Sequence, residues 1–219
     1  MRANRSLSFI AVRFKHMGPP TFNEFIFRVG VLAAVLGLFA VVDWVVYGKR
    51  AKRWREYVFL LGCAELGAAF GVGVDQITAR LSPEYFIMGK HIEPGEGYWT
   101  SVMQLGVQAG FFAGAVVAGL LLIANSVAPR CQSLRLIVLA GFLLLPFTLA
   151  TAGACLGGLT LALCGPPSLI DDEFTRYLDA NAITRFCIVW GTHLGLYYGG
   201  AAGTAAAFVG VLLRRKAEC

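Results

Sequence analysis

The chain has 219 residues, 57% of them hydrophobic and only 15% charged, with a mean hydropathy of +0.66. A soluble domain carries about 45–50% apolar and about 25% charged residues, so a soluble globular protein is excluded and an integral membrane protein is expected. The net charge of +6 then reports membrane orientation and implies no nucleic-acid partner.

Residues 1–20 carry Arg2, Arg5, Arg13 and Lys15. Arg13 and Lys15 interrupt the apolar "LSFIAV", and no small-residue cleavage site follows, so this is a basic tail and not a cleaved signal peptide. It is expected to lie on the membrane surface; the other reading starts the chain at Met17, which removes those charges.

Apolar stretches of about 20 residues or more, long enough to cross about 30 Å of hydrocarbon, predict five spans at about 27–47, 57–79, 100–124, 136–163 and 187–213. The fold class is therefore an all-α membrane bundle of five transmembrane helices, within one membrane domain over 1–219. Lys49, Arg50, Lys52, Arg53, Arg55, Arg130, Arg135, Arg214, Arg215 and Lys216 fall on one side. Arg80, Lys90, Arg176 and Arg185 fall on the other. The excess marks the first side as cytoplasmic, with the C-terminus inside and the N-terminus outside.

The two outer loops are expected to carry short interfacial helices. In "SPEYF", Ser82 suits an N-cap, Pro83 the first helical position and Glu84 the first turn. "DDEFTRYLDA" (171–180) likewise opens on acids. Tyr85, Phe86, Tyr98 and Trp99 fit an aromatic belt at that level.

Glycine spacing is the most specific pattern. Gly191, Gly195, Gly199 and Gly203 form a four-residue stripe in the fifth span, and Gly106, Gly110 and Gly114 form one in the third. Gly67 and Gly71 lie in the second span, Gly153 and Gly157 in the fourth. Such stripes let helix backbones approach closely in lipid. The third and fifth spans run in the same direction, each behind an outer loop, which reads as a weak parallel repeat of two hairpins.

Charged and amide groups inside spans are costly and usually face protein or water. Asp43 is one turn from the basic loop and is expected to pair with Lys49 or Arg50. Glu65 lies deeper and shares a face with Ala69, Val72 and Gln76. Asp75, Gln76, Gln104, Gln108, His193 and Tyr197 fall at one level in the outer half. They predict either an interhelical hydrogen-bond network or an outward-facing polar pocket with Glu65 at its floor. An Asp–His pair suits proton transfer near neutral pH.

No metal site, cofactor or catalytic set is indicated, because neither metal-ligand spacing nor a GxGxxG, P-loop, HExxH or GxSxG occurs. Cys164 and Cys187 both sit at outer ends of spans, which suggests a possible disulfide across the acidic loop.

The stretches "DQIT…SPEYF" and "RFCIVWGTHLGLYYGG" carry a resemblance. They are similar to a family of uncharacterised bacterial polytopic membrane proteins with a DQ-[IV]-[ST]…S-x-EYF motif and a later span with His…Y-x-GG. The resemblance covers roughly 62–125 and 185–213. Position 74 is valine where that pattern has a histidine. It implies a bacterial inner-membrane protein and no activity. The functional expectation is a non-enzymatic membrane protein with an outer-leaflet polar pocket for a small ligand, lipid or partner protein, the bilayer itself and a homo-oligomer or membrane protein being the expected associations. A proton-coupled transporter or channel subunit and an intramembrane enzyme acting on lipids are the alternatives.

Overall fold

The computed structural model describes residues 21–127, 132–165 and 178–217, and every regular element among them is helical. The helices are α1 (Phe22–Tyr47), α2 (Arg53–Leu81), α3 (Tyr98–Ser126), α4 (Leu136–Gly141), α5 (Leu144–Cys164) and α6 (Ala180–Ala217). Counting α4 and α5 as one stretch, five are long and apolar enough to cross a membrane. The basic tail at 1–20 and most of the acidic loop expected to hold a short helix lie outside the described residues.

Contacts divide the chain into two compact units, Met1–Trp54 and Arg55–Cys219. In the first, α1 opens with a capping box. The Thr21 hydroxyl accepts from the Glu24 amide at 3.3 Å, and the Glu24 carboxylate accepts from the Thr21 amide at 3.2 Å, so two of the helix's orphan donors are satisfied. At its other end Asp43 does not pair with Lys49 or Arg50 as expected. It turns past the intervening turn to accept the Lys52 and Arg53 amides, each at 3.0 Å. Those amides open α2, where a carboxylate both fills orphan donors and complements the positive end of the helix dipole.

The second unit holds two antiparallel hairpins. In α2 and α3 the backbones meet at glycines. A Cβ built on Gly67 would strike the carbonyl oxygen of Gly110, one on Gly71 that of Gly106, and one on Gly114 that of Cys63. In α5 and α6, Gly153 and Gly157 oppose Gly195 and Gly191 in the same way, and Gly203 lies against Pro146. No residue with a side chain fits such a seam without parting the helices.

The α4–α5 stretch breaks at Phe142-Leu143 because of Pro146. Its ring has no N–H for the Phe142 carbonyl four residues back and would collide with it. The Leu145 amide takes that carbonyl instead, at 3.3 Å.

Two cores close the ends of this unit. At the end with the chain's basic C-terminal helix, Ala118, Leu121, Leu139, Leu143, Ala207 and Val211 pack together. Two polar ties fasten it. Asn125 exchanges two hydrogen bonds with the Leu134 backbone, at 3.1 and 2.8 Å. Arg215, only 2% exposed, donates to the Ala124 carbonyl at 3.0 Å and the Gln132 carbonyl at 3.4 Å. The guanidinium thus sits on the negative end of α3 and covers carbonyls the helix leaves open. At the opposite end, Ala79, Tyr85, Phe86, Tyr98, Val102, Phe186 and Val189 form the second core.

Candidate functional site

A cleft of about 530 Å³ runs between these two cores. Its walls are mostly glycine, alanine and apolar side chains of α2, α3, α5 and α6, including Phe70, Gly110, Phe147, Ala150 and Ala201. The charged, imidazole and phenol side chains gather at one end: Asp75 from α2, Lys90 from the turn that follows it, and His193 and Tyr197 from α6.

That turn is built by Ser82 and Pro83. The Ser82 hydroxyl accepts from the Tyr85 amide at 3.4 Å and donates to the Glu84 carboxylate at 2.8 Å. The expected cap is therefore present, and it leads into a single wide helical turn over Tyr85–Gly89. Glu84 also pairs with Arg185 of α6 at 3.3 Å. The turn is thus fixed against α6, and Asp179 caps that helix by accepting the Ala182 amide at 2.8 Å.

Tyr85 is delivered flat onto His193, with ring centroids 4.9 Å apart and planes 16° apart, while Phe86 meets the same imidazole edge-on at 5.9 Å. Burial pushes the Tyr85 phenol above its ordinary range, helped by the negative charge of its neighbours. The phenol therefore stays protonated. The Lys90 ammonium lies 5.6 Å from the centre of the same ring.

His193 is 3% exposed. Its Nε2 is 3.3 Å from the Thr78 hydroxyl and 3.8 Å from the Asp75 carboxylate. The Thr78 hydroxyl has one proton and already donates to the Val74 carbonyl at 2.9 Å. This favours the tautomer with the proton on Nε2, where that nitrogen donates to Thr78 and its proton also faces Asp75. In the neutral ring this leaves Nδ1 as an acceptor, and no hydrogen bond to it occurs among the described residues.

The sequence-derived set divides in two. Asp75, His193 and Tyr197 come together at the cleft. Gln76 and Gln104 are half-buried and Gln108 is buried, and none of them lines it. Glu65 does not form the floor; it is exposed on the opposite face of α2, and Cys63, Leu143 and Thr204 lie deep in the cleft instead. Cys164 and Cys187 are both free thiols. Cys187 turns into the packing around Ile183 and Leu161, whereas Cys164 is exposed, so the expected bridge is not made.

Sequence reasoning did not assign Thr78, Tyr85, Phe86 or Lys90 to the site. The signal was present, because Thr78 is one helical turn beyond Asp75 and so shares its face. Comparison with family models, curated proteins and solved structures finds no match for this chain.

Proposed function

We propose that this chain is a multi-pass membrane protein that binds an amphiphile in the cleft. The polar part of the ligand sits at Asp75, Lys90, His193 and Tyr197, and its apolar part lies along the glycine-rich walls. The observation that carries this reading is the one-sided charge of the cleft: an apolar trough whose carboxylate, ammonium and imidazole all stand at one end, with only the Cys63 thiol and the Thr204 hydroxyl at the other. Membrane placement is supported by the five long apolar helices. The arginines at the other end support a cytoplasmic C-terminus and an outer-leaflet site, with the N-terminus outside. The resemblance noted above supports a bacterial inner membrane. In lipid, the glycine seams supply the close packing that holds the hairpins together.

The packed core beneath Leu143 favours a site with one mouth over a path through the protein. A binding protein is therefore preferred to a transporter.

The test is to purify the full chain in detergent and compare it with Asp75→Asn and His193→Ala by melting temperature and native mass. The expected result is near-wild-type melting with loss of a co-purifying amphiphile. Variants that melt far below wild type while retaining every bound species would overturn the reading and leave the cluster as a packing device.

A further inference from the structure

We infer that the ligand is a membrane phospholipid whose headgroup carries its own hydrogen-bond donor, an amine or a hydroxyl. This rests on the amphiphile reading of the cleft.

The shape indicates a bilayer lipid. Asp75 and Cys63 mark its two ends on α2, twelve residues or about 18 Å apart. That is a little more than half of the roughly 30 Å hydrocarbon core, the depth of one leaflet. The lining residues Ala109, Phe112, Ala113 and Val116 of α3 and Tyr197 and Ala201 of α6 are all exposed. The trough therefore opens sideways along its length, where acyl chains lie. One chain of a two-chain lipid enters laterally while the other stays in the bilayer.

The polar end indicates the headgroup. Lys90 has no ion-pair partner within 4 Å among the described residues, and its ammonium suits a phosphate as a point charge. Apart from the Tyr197 hydroxyl, the groups near it are acceptors: the Asp75 carboxylate and, in the tautomer with the proton on Nε2, His193 Nδ1. The Tyr197 hydroxyl at the same end has one proton to give, a phosphate adds none, and a choline headgroup has no N–H or O–H to offer the acceptor capacity that remains. An ethanolamine or glycerol headgroup supplies the missing donor. A buried acceptor left without one is costly, so the site discriminates against choline.

The experiment uses the full chain, delipidated in detergent. It is titrated with phosphatidylethanolamine, phosphatidylglycerol and phosphatidylcholine of identical acyl chains, and binding is read by native mass spectrometry. The ethanolamine and glycerol lipids are expected to bind at least about tenfold more tightly than the choline lipid, roughly the worth of one hydrogen bond to a charged group. Lys90→Gln should weaken all three together. His193→Phe, which keeps the stack on Tyr85, and Asp75→Leu should bring the preferred lipids down toward choline. Ala113→Trp and Ala201→Trp, both at exposed lining positions, should block binding of all three. If the Trp variants block binding but wild type treats the three headgroups alike, the headgroup inference fails and the cleft reading stands. If neither Trp variant reduces binding, the cleft is not the site and both fail.

Discussion

The two ends of the second unit both bury polar side chains, and they use them differently. At the arginine end, Arg215 and Asn125 hydrogen-bond to backbone: the Ala124 and Gln132 carbonyls, and both groups of Leu134. At the Lys90 end, Asp75, Thr78 and His193 mainly face one another. His193 Nδ1 and the Lys90 ammonium make no hydrogen bond or ion pair among the described residues. A buried polar side chain that closes a helix terminus is part of the scaffold. A group of them around a cleft with capacity left over is a candidate site.

Arg215→Leu tests this contrast most severely. It removes two hydrogen bonds from a charged donor and uncovers the end of α3, so a loss of about 3 kcal/mol is expected, measured by reversible unfolding in mixed micelles. A loss below about 1 kcal/mol would mean that the buried guanidinium is not structural. Asn125→Ala comes next. It leaves the Leu134 amide and carbonyl without partners, and about 2 kcal/mol is expected by the same assay.

The Lys90 end should respond far less. Thr78→Val and Asp75→Asn each disturb one interhelical polar contact, worth about 0.6 kcal/mol, while bound amphiphile is lost in native mass spectra. A stability loss matching that of Arg215→Leu would erase the distinction between the ends. The smallest effect belongs to Glu84 and Arg185. The pair is partly exposed, at 25% and 43%, so a double-mutant cycle should give about 0.2–1 kcal/mol that shrinks as salt rises.

Asp75 lines the cleft and Glu65 faces away from it for one physical reason. Both are carboxylates on α2, and ten residues separate them. Ten residues turn a helix through about 2.8 turns, so the two project in different directions. Helical periodicity groups residues on a face but does not say which face meets a neighbour. Gln104 and Gln108 fell outside the cleft for this reason, though they lie at a suitable level. The cysteine pair failed similarly: equal depth on two helices does not bring two side chains toward each other, and Cys187 points into its own packing cluster.

The sequence by itself determined the number and approximate limits of the long apolar helices, because a span-length run of apolar residues is a one-dimensional property. It determined the cap at Ser82, which depends only on neighbours along the chain. It also singled out Asp75 and His193, because a titratable group in an apolar helix stands out wherever it points. Only the tertiary structure decided that Tyr85 stacks on His193, that Lys90 reaches the same cleft, that Asp43 caps the following helix and that Arg215 is buried. Each of these depends on the rotation of one helix against another, and in this chain that rotation is tied to the places where glycine backbones touch.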